Sequence, residues 1–173
     1  TFAFSGVDLA GAKLVAFETM TCGGEEYMAH ADIEDESQTV AVVDIATTAV
    51  NPETGDATGV ADEGLELVDT VEYTGLTPGE AYTMTGHIAD AETGEMLMDG
   101  DGNAYVQEVA FSPEEADGTV EVAFEIDASS LSGRTTVFTE TLSDSEGNVI
   151  AAHDDMADAN QSIYFPMIRT NAV

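Results

Sequence analysis

The feature that most constrains this chain is a repeat within it. Ala29-His30-Ala31-Asp32-Ile33-Glu34-Asp35-Glu36-Ser37-Gln38-Thr39-Val40 returns, without a gap, as Ala152-His153-Asp154-Asp155-Met156-Ala157-Asp158-Ala159-Asn160-Gln161-Ser162-Ile163. The offset is 123 residues, His30 to His153, and it carries on from Ile45–Val50 to Ile168–Val173. Upstream, Leu9–Glu18 matches Leu131–Glu140 at an offset of 122. Self-similarity at a fixed period marks repeated structural units. Residues 1–43 then read as the C-terminal strands of one repeat, 44–165 as a complete repeat, and 166–173 as the first strand of the next. Spacers this short predict a stiff array rather than beads on a flexible string.

The complete repeat reads as β throughout. Leu65-Glu66-Leu67-Val68-Asp69-Thr70-Val71-Glu72-Tyr73 alternates as a half-buried strand does. Val40–Val50, Tyr82–Ile88, Tyr105–Phe111, Val120–Ile126, Thr135–Leu142 and Ser162–Phe165 are further strand candidates. Leu76-Thr77-Pro78-Gly79 and Ser143–Asn148 carry turn chemistry, and Pro113–Ala116 has room for one helical turn at most. Seven or eight short strands between regular turns predict an all-β, antiparallel, Ig-like sandwich.

Composition removes several function classes. Thirty-five acidic residues against 3 basic ones leave a formal net charge of -32. Nucleic-acid binding needs cationic groups, and so does adhesion to anionic lipid. Neither nucleic acid nor membrane insertion is expected, and no stretch reads as a signal peptide or membrane span. Cys22 is the only cysteine, so no intrachain disulfide can form. Lys13 is the only lysine, and it lies outside 44–165, which excludes a Lys-Asn isopeptide bond within the complete repeat.

Five polar residues stand out within that repeat. Thr47 shares strand parity with Ile45 and Ala49, and Asp69 with Leu65 and Leu67, which points both toward the core. A buried carboxylate is costly unless partnered. Glu140, His153 and Gln161 each have an ordinary explanation alone: a strand glutamate, a loop histidine and an exposed edge glutamine. Recurrence argues otherwise. Glu18 answers Glu140, His30 answers His153, Gln38 answers Gln161 and Thr170 answers Thr47, while their neighbours change charge.

The run Asp69–Tyr82, with this order and spacing of Thr, Asp, Glu, His and Gln, resembles the Thr-Gln ester-bond domains of Gram-positive surface adhesins. Val15-Ala16-Phe17-Glu18 matches the signature of the VaFE-repeat proteins. The resemblance covers nearly the whole chain. Thr139 stands where an aromatic residue is commoner, and Ser162 where threonine is usual; neither change removes a reacting atom.

The resemblance implies an intramolecular ester between Thr47 and Gln161, formed with loss of ammonia. His153 would be the base for the Thr47 hydroxyl, and Asp69 with Glu140 the acidic pair that polarises the Gln161 carboxamide. No cofactor or metal is implied. Each domain would react once, on itself, and so would not be an enzyme in the usual sense. The expected setting is an extracellular, cell-wall-anchored stalk. Its partners would be neighbouring repeats of the same chain, with a host ligand bound through a domain outside this sequence.

Glu18, His30, Gln38 and Thr170 form partial sites. Thr170 of one chain meeting Gln38 of another would still lack an Asp69 equivalent. An alternative is a module whose acidic turns bind Ca2+ or a host ligand. Asp99-Gly100-Asp101-Gly102-Asn103 has suggestive spacing, but Ala104 and Ala110 break the EF-hand pattern. A Thr/His/Asp hydrolase is disfavoured, because no nucleophile elbow flanks Thr47.

Overall fold

The computed structural model describes residues 9–170. Among these, β-branched and aromatic alternation gives twelve strands and no α-helix. The unit beginning at Asp44 contains eight of them: β5 (Asp44–Val50), β6 (Leu65–Thr74), β7 (Tyr82–Asp90), β8 (Val106–Phe111), β9 (Gly118–Ile126), β10 (Thr135–Ser143), β11 (Val149–His153) and β12 (Ser162–Tyr164). One sheet runs β5-β6-β9 and the other β11-β10-β7-β8, with β12 also paired to β10. All of these ladders are antiparallel, so the unit is an Ig-like β-sandwich.

Period-two burial builds the core between the sheets. Leu65, Leu67, Val71 and Tyr73 of β6 face Val122, Phe124 and Ile126 of β9 on one side, and Met84, Ile88, Phe138 and Leu142 on the other. Phe124 meets Phe138 edge to face, with ring centroids 5.4 Å apart.

The arrangement of β11 and β12 positions the site. Both lie along one edge of β10, β11 opposite Glu140–Ser143 and β12 opposite Thr135–Val137. The chain leaves that edge after His153 and returns through a 3-10 turn at Ala159–Gln161. Gln161 therefore enters between the two short strands. β5, the edge strand of the other sheet, packs against β11 and this turn.

Residues 13–41 rebuild the same edge. β1 (Lys13–Val15) and β2 (Glu18–Cys22) correspond to β10, β3 (Glu25–His30) to β11, the 3-10 turn Glu36–Gln38 to Ala159–Gln161, and β4 (Thr39–Ala41) to β12. Glu18 lies opposite His30 as Glu140 lies opposite His153, and the register shifts after Met20 as it does after Leu142. The turns before each edge also agree. Gly11 N donates to Val42 O at 3.1 Å and Val42 N to Ala12 O at 2.8 Å; Gly133 N donates to Phe165 O at 2.7 Å and Phe165 N to Arg134 O at 2.9 Å.

The first of these clasps touches the next unit directly. Only Val43 separates clasped Val42 from Asp44 of β5. Gly75, at φ 77°, packs so closely on the linker that a Cβ there would stand 3.1 Å from Ala41 Cβ. Such a φ is open to glycine and strained for most other residues.

One expectation needs correction. Val40–Val50 is not one strand, because Val42 is turned into the clasp and splits it into β4 and β5. Glu114–Asp117 forms bends, in keeping with room for one helical turn at most at Pro113–Ala116. Pro166–Thr170 has no ladder partner among the described residues, and 171–173, the rest of the segment expected to open the next repeat, lie outside them.

Candidate functional site

Thr47, Asp69, Glu140, His153 and Gln161 converge between the two sheets. Thr47 comes from β5 and Asp69 from the adjacent β6, where Asp69 lies directly opposite Ala49. Both side chains face inward, at 4% and 0% exposure. Glu140 of β10 faces them from the other sheet at 1%, and Gln161 is fully buried at 0%. The ordinary alternative for Gln161, an exposed edge glutamine, does not hold, because its turn tucks it behind β5. His153 ends β11, opposite Glu140, and is a paired strand residue rather than a loop one.

Gln161 Nε2 donates to Glu140 Oε2 at 3.0 Å and to the His153 carbonyl at 3.4 Å. Much else is left unpaired. Among the described residues, eight buried side-chain N and O atoms lack a hydrogen-bond partner, and six belong here: Thr47 Oγ1, both Asp69 oxygens, Glu140 Oε1, His153 Nδ1 and Gln161 Oε1. Each such atom costs free energy of folding, on the order of 1–3 kcal/mol. A cluster held in place at that cost is a candidate for chemistry.

Electrostatics sort the two acids. Burial pushes the Glu140 carboxyl from 4.5 up to about 10, helped by Asp69 beside it. Burial raises Asp69 as well, while Glu140, Thr47 and the nearby His153 pull it down. Two neighbouring carboxyls in a dry site do not both ionise, so the pair holds a proton near neutral pH.

One participant escaped the sequence reading. Asp158 Oδ2 lies 3.3 Å from His153 Nε2, while its Oδ1 accepts from Asn160 N at 2.8 Å and caps the turn that delivers Gln161. Asp35 does the same in the first unit, 3.0 Å from His30 Nε2 and capping Glu36–Gln38 through Ser37 N at 2.8 Å. The signal was available: Asp35 and Asp158 recur at the common offset, within His-x4-Asp-x2-Gln.

The partial sites are less closed. Glu18 and His30 are exposed and face each other across β2–β3, with Gln38 half-buried nearby in the chain. Thr170 is exposed and lies on no strand. The Asp99 carboxylate is engaged by its own turn, accepting from Asp101 N at 2.9 Å and Asn103 N at 2.8 Å. No helix among the described residues is long and apolar enough to cross a membrane.

The family of T-Q ester bond containing domains matches residues 1–42 and again 43–165. No curated protein matches the chain significantly. Among solved structures, a bacterial adhesin from Mobiluncus mulieris containing intramolecular disulfide, isopeptide and ester bond cross-links is similar in two crystal forms. In the P1 form the TM-score is 0.51 at 12% identity, and in the P21 form 0.49 at 14%. Each alignment covers 70% of this chain and 56% of the adhesin chain, so this chain spans little more than half of that protein's length.

Proposed function

The chain belongs to the family of T-Q ester bond containing domains, and on that premise we propose that residues 43–165 form a load-bearing module of a bacterial surface adhesin, sealed by an ester between Thr47 and Gln161. The observation that carries the reading is the convergence of Thr47, Asp69, Glu140, His153 and Gln161 in one buried site with their reactive atoms unpaired.

The chemistry runs on these residues alone. A hydroxyl needs a base to become a nucleophile. With His153 Nε2 directed to Asp158, Nδ1 is the free ring nitrogen and takes the Thr47 Oγ proton. Oγ attacks Gln161 Cδ, and the C–N bond breaks. Glu140 Oε2 accepts from this nitrogen at 3.0 Å before reaction; once Oγ has added and the nitrogen has regained its lone pair, the proton held by the Asp69–Glu140 pair passes to it through Glu140. Ammonia departs with that proton, and the proton on His153 returns to the acid pair. The balance is one hydroxyl and one carboxamide giving one ester and one ammonia, once per domain.

Packing supplies proximity in place of turnover. The bond would link the edge strands of the two sheets. Tension entering at Asp44 would cross at Thr47–Gln161 and leave near Phe165, bypassing the ladders between. The family match supports a surface setting, and an extracellular, cell-wall-anchored stalk is the role that such a crosslink would serve. A host ligand would be bound elsewhere in such a protein.

Intact mass tests the reading. The folded wild-type chain is expected to lack one ammonia, and Thr47→Ala and Gln161→Ala to retain it. A folded wild-type chain of unchanged mass overturns the proposal.

A further inference from the structure

Asp69 and Glu140 belong to different sheets, so their meeting depends on the sheet spacing at their level. Stacked sheets lie about 10 Å apart, and an aspartate side chain crosses little of that gap. The residue beside Asp69 on the neighbouring strand is Val122; the residue beside Glu140 is Gly86. The acid pair therefore lies directly beside the place where Gly86 faces Val122 and Phe124.

Contact there is tight. A Cβ on Gly86 would lie 3.0 Å from Val122 Cγ1 and 3.0 Å from Phe124 Cζ. Gly86 is not among the positive-φ glycines, so its backbone would accept other residues. Glycine is unfavourable inside a strand, and here it marks a close approach. The space that a side chain would need is filled from the opposite sheet by Val122 and Phe124, both at most 1% exposed.

We propose that Gly86 is a positioning residue for the crosslink: its missing side chain lets the sheets close far enough for Asp69 and Glu140 to meet and share a proton beside Gln161. The inference rests on the ester reading above. Alanine at 86 forces Val122 or Phe124 to give way by a few tenths of an ångström, at the level where the two carboxyls must touch. Small displacements of positioned groups cost large factors in rate.

The test follows ammonia loss over time by intact mass, in the full chain made by cell-free synthesis and quenched at intervals. Gly86→Ala is expected to slow the loss roughly tenfold or more. Gly86→Ala with Val122→Ala, which removes one of the two contacts and gives the Phe124 ring room to shift, is expected to restore the rate to within about threefold. Gly118→Ala is the control: its Cβ would stand 2.5 Å from Tyr73 Oη, a clash at the far end of β6, and the wild-type rate is expected. Should Gly86→Ala not fold, Val122→Ile adds a methyl to the same contact from the opposite sheet and is expected to slow the loss in the same direction. A wild-type rate in Gly86→Ala, no rescue by the double variant, or equal slowing in Gly118→Ala overturns the inference and leaves the ester reading intact. A wild-type chain that folds and never loses ammonia defeats both.

Discussion

Asp158 holds His153 with one carboxylate oxygen and caps the turn carrying Gln161 with the other. A single side chain thus aligns the proposed base and delivers the proposed electrophile. The same double duty falls to Asp35 between His30 and Gln38. Asp158→Asn keeps a competent cap but removes the charge that orients the imidazole. Ammonia loss is expected to slow by about 10²-fold or more with little change in stability. Asp158→Ala is expected to lose the cap as well, and about 1 kcal/mol with it. Intact mass and chemical denaturation on the same samples check both effects.

The acid pair makes a pH prediction for the unreacted fold. In Thr47→Ala no ester forms, and Glu140, raised from 4.5 to about 10 in the wild-type site, stays raised because its burial and the neighbouring Asp69 remain. The folded state then binds the extra proton across this window. Its stability is fullest below about 4.5 and falls as pH rises toward 10. Raised Asp69 adds in the same direction. Melting temperature measured across that range is expected to decline. Adding Glu140→Gln is expected to flatten the decline.

Closing the sandwich covalently constrains the unfolded chain. Thr47 and Gln161 are more than 100 residues apart, so loop closure predicts a gain of about 4 to 5 kcal/mol over Thr47→Ala. Denaturant midpoints compare the two. Reducing agent is expected to leave the difference unchanged, because Cys22 is the only cysteine.

The junction between the units offers a separate test. Gly75→Ala places a Cβ 3.1 Å from Ala41 Cβ, whereas Gly79→Ala, at a similar φ of 82°, meets nothing within 4 Å. Both carry backbone strain, but only the first presses on the linker. Amide exchange at Gly11 and Val42 is expected to quicken roughly tenfold or more in Gly75→Ala relative to Gly79→Ala. Ester formation, read by mass, is expected to be unaffected in both.

Much of the site was legible because it is written twice. His30 and His153, Gln38 and Gln161, and Glu18 and Glu140 hold their spacing while neighbouring residues drift. Asp69 has no second copy, but strand parity put it on the core face, where a carboxylate demands an explanation. Asp158 was passed over because aspartates crowd this acidic chain, and one more in a turn carries no weight until its two partners are seen.

The sequence by itself determined the period, the strand pattern, the absence of cysteine and lysine crosslinks within 44–165, and the list of reactive residue types. Those depend on local alternation, composition and order along the chain. Only the tertiary structure decided that Gln161 is buried rather than at an exposed edge, that Glu140 touches its amide nitrogen, and that Gly86 stands against Val122 and Phe124 beside the acid pair. Each of these is a relation between strands far apart in sequence or on opposite sheets. Such relations arise from how the two sheets stack, which no local pattern encodes.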